Sequence, residues 1–124
     1  MCKYTVHFYR DKKGSSSTAD YINELGKKQD KESRIKAKKI QDYLKMLMYY
    51  GTQAGEPYVK HIEGEIWELR PLRDRIFFVA WVDDSFVLLH HFMKKTQKTP
   101  SKEIEKARRE LADLKERGID NEEK

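Results

Sequence analysis

Six basic side chains in the second half of the sequence fall into two short groups, Arg70, Arg73 and Arg75, then Lys94, Lys95 and Lys98. A guanidinium group binds phosphate oxygens through two parallel hydrogen bonds and stabilises negative charge as it develops. A lysine whose pKa is lowered by cationic neighbours can also exchange protons. RNA supplies its own nucleophile, the 2′-hydroxyl, so cutting it needs no enzyme nucleophile, cofactor or metal ion. These residues could carry out RNA phosphodiester chemistry, although ordinary solvation of strand ends is the interpretation that composition alone favours.

This chemistry requires the two basic groups to meet in space. In the segment EIWELR, strand alternation places Ile66, Glu68 and Arg70 on one face. An antiparallel hairpin between this strand and one that begins at Arg75 would gather the arginines at one end of the sheet. If the last strand also runs antiparallel to that strand, its end, at Lys94, would come close to Arg75. The sequence therefore predicts one basic cluster built from two separate segments.

Three further residues are candidates for proton transfer: Glu68, His90 and His91. Glu68 is either a base or an ion-pair partner of Arg70, and the ion pair is the favoured interpretation. Adjacent histidines in a strand face opposite ways, so the two cannot chelate one ion together. One of them could serve as acid or base near neutral pH, but a half-buried histidine that packs at a strand end is the favoured interpretation. With Cys2 the only cysteine, no metal site is predicted.

The first half of the chain reads as one strand followed by two helices. Residues 2–9 are rich in β-branched and aromatic types and predict a strand. Ser17 or Thr18 is the expected cap of a first helix, which Gly26 should end or weaken. A second helix is predicted over residues 31–50, with its apolar residues on one side and most of its lysines on a solvated face.

The second half reads as four strands and a last helix. Turn signals separate apolar or alternating segments at residues 58–64, 65–70, 75–82 and 86–93. The third is almost continuously apolar, which predicts a central strand covered on both faces. Thr99 is the expected cap of the final helix, Pro100 its first residue and Gly118 its stop. Strands joined by tight turns predict an α+β fold with a small antiparallel or mixed sheet, two N-terminal helices packed on it, and a C-terminal helix; amphipathic helices should cover one face of the sheet.

Composition sets the class of protein. A chain of 124 residues with a net charge of +5 fits one domain, expected over residues 1–118 with a flexible tail over 119–124. Residues 1–50 carry 12 basic and 6 acidic side chains, so the positive excess lies in that half. A basic domain favours a polyanionic partner, although charge alone is weak support. The lone cysteine and the lack of a long apolar stretch favour a cytoplasmic protein without membrane contact.

Residues 64–114 resemble the HigB-like, phage-derived branch of the RelE/ParE toxin superfamily. The motifs that carry the resemblance are ELR, an arginine five residues later that opens an aromatic strand, a strand ending in HF, then KKTQKTP and an EIEKA helix. The N-terminal half agrees in the order of its elements. This resemblance implies a RelE-like fold and the toxin of a type II toxin–antitoxin pair.

Such toxins are typically ribosome-dependent endoribonucleases that cut mRNA without a metal ion. The resemblance implies a helix-turn-helix, HigA-like antitoxin as partner, with a heterotetrameric toxin–antitoxin complex. By position, Arg70 and Arg75 match arginines of the family, and Arg75 matches the one that binds the scissile phosphate. Lys94 and Lys95 match the basic pair assigned to transition-state stabilisation or leaving-group protonation. Arg73 and Lys98 are then expected to bind flanking RNA phosphates.

The sequence departs from some relatives at one site position. Glu68 stands where some RelE-like toxins carry a lysine, so a base role there would pass to Glu68, to a histidine or to no residue. Two other functions remain open on the same residues. One is a ParE-like toxin that poisons DNA gyrase, and the other is an RNA-binding module without catalysis. Codon preference and the surface that binds the antitoxin are not readable from the sequence.

Overall fold

The structure is a computed structural model that describes residues 2–119. The elements follow the predicted order of strand, helix, helix, four strands and helix. They are β1 (Thr5–Phe8), α1 (Ser17–Lys27), α2 (Lys31–Tyr50), a 3-10 turn (Gly51–Ala54), β2 (Val59–Glu63), β3 (Ile66–Leu69), β4 (Asp74–Trp81), β5 (Ser85–Met93) and α3 (Ser101–Arg117).

The five strands form one mixed sheet in the order β1-β5-β4-β3-β2. Strands β2 to β5 pair antiparallel as consecutive neighbours, whereas β1 pairs parallel to β5. β4 lies in the middle of the sheet, and its residues Ile76 to Val79 are fully buried. This agrees with the prediction of a central strand covered on both faces.

Helices cover both faces of the sheet, not one face as the sequence predicted. One core layer joins Ile40 and Leu47 of α2 to Leu69, Ile76 and other residues on one side of the sheet. A second layer joins Ala107 and Leu114 of α3 to the opposite side. The strands explain the correction: β3, β4 and β5 present apolar side chains on both faces, so each face must be shielded from water.

Three helix ends differ from the sequence predictions. The cap of α1 is Ser16, whose side chain accepts a hydrogen bond from the amide of Ala19. Thr18 is unavailable for capping because its hydroxyl donates to the carbonyl of Leu89 on β5. Gly26 lies inside α1, which continues to Lys27. At α3, Pro100 takes the cap position and the helix begins at Ser101, one residue later than expected.

Two glycines end helices: Gly118, as predicted, and Gly51, directly after the predicted end of the second helix. Gly51 follows α2 with a φ of 62°, and Gly118 follows α3 with a φ of 76°. This left-handed backbone favours glycine because a side chain would be strained there. At Gly51, an added Cβ would also meet the ring of Tyr4 at 2.9 Å.

The C-terminal boundary is described as far as Ile119. This residue, the first of the expected tail, is buried in the α3 core layer. Residues 120–124 lie outside the described residues, so the predicted tail stays a prediction there. Among residues 2–119, no helix combines the length and apolar character needed to cross a bilayer.

Two isoleucines of α2 provide a matched test of the core. Ile40 is fully buried, whereas Ile35 is 47% exposed on the same helix. Ile40→Ala should lower the free energy of unfolding by about 2–5 kcal/mol because it removes buried methyl groups and leaves a cavity. Ile35→Ala, the control, should change it by less than about 0.5 kcal/mol. Urea unfolding of both variants measures the difference, and equal effects would contradict the described packing of α2.

Candidate active site

The two basic groups meet where the β3–β4 turn adjoins the end of β5. Asp74 pairs with Met93, and the amide of Lys94 donates to the carbonyl of Arg73 over 2.8 Å. An open depression of about 490 Å³ lies at this junction. It is lined by Arg70, Arg73, Arg75, Lys94, Lys95, Thr96 and Gln97. We refer to its five basic residues as the cationic cluster.

The predicted site residues do not all reach this depression. Lys98 is exposed in the segment between β5 and α3 and does not line it. His90 and His91 lie elsewhere, and each has its own partners. The roles expected of the cluster residues stay predictions, whereas their proximity is a property of the fold.

His90 is buried against α3. Its Nδ1 lies 3.0 Å from Glu110, and its Nε2 lies 2.9 Å from Glu103. The ring also packs edge-on against Phe77. Both nitrogens are therefore engaged by carboxylates of one helix, and only 2% of the residue is exposed. The packing of α3 removes His90 from the acid–base candidates at the cluster.

His91 lies on the opposite face of the sheet from Arg75. Its ring stacks on Tyr21 of α1 at 3.8 Å, and its Nε2 lies 3.6 Å from the buried carboxylate of Asp74. The hydroxyl of Tyr21 donates to both oxygens of Asp74. Strand alternation separates His91 from the cluster, because Arg75 pairs with the next residue along β5, Phe92.

Glu68 is the one acid–base candidate that lies with the cations. It is fully buried, and its Oε1 lies 3.6 Å from Nε of Arg70 and 3.8 Å from Nε of Arg75. These are ion pairs, but neither carboxylate oxygen accepts a hydrogen bond from residues 2–119. Burial raises the pKa of Glu68, and the charges of Arg75, Lys94, Arg70 and Lys60 oppose that rise.

Lys60 is a cation near the site that sequence reasoning missed. It lies on β2 directly opposite Glu68 in the β2–β3 ladder. Its positive charge acts on both Glu68 and Lys94. The signal that could have identified it was the hairpin register, since Lys60 and Glu68 are an opposite-charge cross-strand pair.

The guanidinium of Arg75 is anchored to the turn between β3 and β4. Its Nη1 donates to the carbonyls of Leu72 over 2.8 Å and Asp74 over 2.9 Å. Burial is the main cause that lowers the pKa of Arg75, with Arg70 adding to the effect and Glu68 opposing it. An arginine stays charged nonetheless. Arg75 is therefore a fixed positive charge in a partly buried position.

Lys94 differs from an ordinary surface lysine. Burial lowers its pKa first, the attraction of Glu68 opposes this, and Arg75, Arg70 and Lys60 lower it further. An ammonium group with a lowered pKa releases its proton more readily, which suits proton donation to a leaving oxygen. The cluster therefore combines a fixed arginine, a lysine with a weakened hold on its proton, and a buried carboxylate beneath them.

Known proteins resemble the chain in both sequence and fold. The family model described as "Phage derived protein Gp49-like (DUF891)" matches residues 20–112, which include the whole cationic cluster. A chain of the archaeal RelE–RelB complex from Pyrococcus horikoshii OT3 superposes with a TM-score of 0.52. The match is 13% identical and covers 73% of this chain and 94% of that chain. No curated protein sequence matches significantly. At this identity, the structural likeness concerns the fold alone, and it confirms the RelE-like α+β architecture.

The raised pKa of Glu68 predicts a pH dependence of stability. The folded protein holds this proton more tightly than the unfolded chain does, so stability falls as pH rises from the ordinary value of 4.5 through the folded-state pKa. Glu68→Gln removes this loss. The free energy of unfolding of the variant minus that of the wild type should therefore increase across this window. Urea unfolding between about pH 4 and pH 8 measures the difference.

Glu63→Gln is the control with the opposite sign. A hydrogen bond from Arg108 lowers the pKa of Glu63. The stability that this ion pair contributes is therefore present at pH values above the ordinary pKa of glutamate and is lost as pH falls. This variant should be less stable than the wild type near neutral pH, and the difference should vanish in acid. A Glu68→Gln difference that stays flat or shrinks with rising pH would contradict the described burial of Glu68.

Proposed function

The chain belongs to the Gp49-like family of phage-derived proteins, and from this premise we propose that it is the toxin of a type II toxin–antitoxin pair. Within that class, we assign it to the HigB-like branch and to metal-independent endoribonucleases that cut mRNA on the ribosome. The observation that carries the proposal is the cationic cluster, which gathers five basic residues at one depression on a RelE-like fold.

In this proposal the cationic cluster binds the phosphates of the RNA substrate. Arg75 and Arg70 clamp the scissile phosphate, while Arg73 and Lys98 bind phosphates on either side. Lys94 and Lys95 stabilise the negative charge that grows on the phosphoryl oxygens as the 2′-oxygen attacks. Because Arg75 is already held by two carbonyls, little reorganisation is needed when that charge develops. This pre-organisation supports a catalytic role over simple solvation of the turn.

Proton transfer is assigned to Glu68 and Lys94. The 2′-oxygen forms a bond to phosphorus, the bond from phosphorus to the 5′-oxygen breaks, and the products are a 2′,3′-cyclic phosphate and a 5′-hydroxyl. Glu68 takes the proton of the 2′-hydroxyl, and Lys94 donates one to the departing 5′-oxygen. Arg70 lies at ion-pair distance from Glu68, with 3.6 Å between its Nε and Oε1, so a phosphate that draws Arg70 away would leave this carboxylate freer to accept the proton.

The proposal also assigns partners and a compartment. The archaeal structure is of a RelE–RelB complex, which supports an antitoxin as partner here. We expect a HigA-like helix-turn-helix antitoxin, a heterotetrameric complex, mRNA on the ribosome as substrate, and a cytoplasmic location. In this scheme the described residues form a single toxin domain that includes Ile119, which packs in the α3 core layer.

A gyrase-poisoning toxin on the same fold is the principal competing function. The cationic cluster favours the nuclease, since phosphate chemistry requires convergent positive charges and binding to a protein target does not. Primer extension on mRNA after induction separates the possibilities. Cuts in register with codons support the nuclease, an SOS response without cuts supports gyrase poisoning, and salt-sensitive RNA binding without toxicity supports a non-catalytic module.

Substitution of Arg75 tests the catalytic assignment. Arg75→Lys keeps a positive charge above Glu68 but loses the planar fork, so mRNA cleavage should fall by about 100-fold or more and growth arrest should disappear. Arg109→Lys, at an exposed position of α3, is the matched control and should leave cleavage unchanged. Primer extension measures cleavage, and thermal unfolding verifies that both variants fold. Full toxicity in a folded Arg75→Lys variant would overturn the assignment.

A further inference from the structure

Three large apolar side chains are exposed next to the cationic cluster. They are Ile35 of α2, Leu72 of the β3–β4 turn and Met93 at the end of β5, which are 47%, 46% and 38% exposed. We call them the apolar patch. Together with Lys31, Glu32, Lys36 and Arg73 they line an open groove of about 600 Å³. Side chains from three separate elements thus converge on one apolar surface, unlike isolated surface residues.

Leu72 is held in an unfavourable backbone conformation. Its φ is 57°, in the left-handed region that leucine rarely adopts. The turn that contains it is closed by a hydrogen bond from the amide of Asp74 to the carbonyl of Pro71, and Arg75 donates to the carbonyl of Leu72. The fold thus holds an apolar side chain in water on a strained residue. In the free protein neither feature is favourable, which points to a role in binding.

Positive charge surrounds the apolar patch. The grooves on either side of Ile35 contain one acidic residue, Glu32, against several basic ones. The basic residues are Lys31, Arg34, Lys36, Lys38, Lys39 and Arg73. Of these, Lys38 is neutralised by an ion pair with Asp42. The surface therefore has an apolar centre and a cationic rim.

This combination discriminates between possible occupants. A second copy of the chain would bring one cationic rim against another, which is electrostatically unfavourable. Unpaired RNA bases stack on aromatic or guanidinium planes, whereas the centre here is aliphatic. An amphipathic polypeptide segment with acidic residues beside its apolar ones satisfies both the centre and the rim.

We propose that an acidic, amphipathic segment of the antitoxin docks on the apolar patch. The inference rests on the proposed function and assigns the inhibitor's binding surface on the toxin. Apolar side chains of the segment fill the groove between Ile35, Leu72 and Met93, and its carboxylates pair with Lys36 and Arg73. Because Arg73 also lines the active-site depression, a segment seated there covers one edge of the cationic cluster. The antitoxin then blocks RNA by occupying a phosphate-binding position.

Two substitutions each remove one side chain of the apolar patch and replace no catalytic side chain. Leu72→Asn deletes the apolar side chain and places in the turn a residue that tolerates the left-handed conformation. Ile35→Gln keeps a good helix former in α2. Val82→Asn is the matched control, because Val82 is 59% exposed in the turn at the opposite end of β4. The probe is the purified product of the reading frame next to the gene, titrated by calorimetry as the candidate antitoxin.

Each patch variant should bind the antitoxin at least about tenfold more weakly than the wild type. Ile35→Gln should cut mRNA normally, and its growth arrest should resist neutralisation by co-expressed antitoxin. The melting temperature of Leu72→Asn should be unchanged or higher, which separates a binding role from a structural one. Val82→Asn should bind and be neutralised like the wild type.

Several results would overturn the docking proposal. They are an unchanged affinity for the antitoxin in both patch variants, an equal loss of affinity in Val82→Asn, or no complex with the wild-type chain. Patch variants that keep antitoxin binding but lose RNA binding, or lose a self-associated state, would also overturn it. The mRNA cleavage assay on the free toxin is independent of all five. Wild-type chain that forms the complex but cuts no mRNA would refute the nuclease and leave the docking surface standing.

Discussion

The buried carboxylate of Glu68 is the interaction on which the site depends. A carboxylate removed from water costs several kcal/mol unless nearby positive charge compensates for it. Here the compensation comes from Arg70 and Arg75 at ion-pair distance, with Lys60 and Lys94 acting from further away. Glu68 receives no hydrogen bond from the part of the chain that the structure describes, which leaves this compensation incomplete. The same negative charge offsets the repulsion among the surrounding cations.

Strand pairing determines where these charges are located. β3, β4 and β5 are consecutive antiparallel neighbours. The end of β3, the start of β4 and the end of β5 therefore lie at the same end of the sheet. Alternation then places Glu68 and Arg75 on the α3 side, the side of Ile66 and Phe77. It places His91 on the α1 side. One residue of register along β5 therefore decides which candidates belong to the site.

The sequence predicted that the basic residues would meet, but it did not predict the surroundings of the acid–base candidates. Turn signals and strand periods were sufficient to bring Arg70, Arg75 and Lys94 together, because antiparallel neighbours fix which strand ends meet. The sequence could not predict the surroundings of His90, because the carboxylate partners of this residue come from α3 through tertiary packing. A helix on each face was missed for the same reason, because periodicity identifies an apolar face without identifying what covers it. The complete burial of Glu68 also depends on neighbours distant in sequence.

The turn between β3 and β4 connects Arg75 to the proposed antitoxin-binding surface. Arg75 is fixed by the carbonyls of Leu72 and Asp74, and Leu72 carries its side chain to the apolar patch. The backbone of Leu72 is strained, and the hydrogen bonds of the turn hold it in this conformation. Any partner that presses on its side chain acts on the same four-residue turn that orients the guanidinium of Arg75. Phosphate binding and antitoxin binding would thus be coupled through one short segment of backbone, with no need for a longer path through the domain.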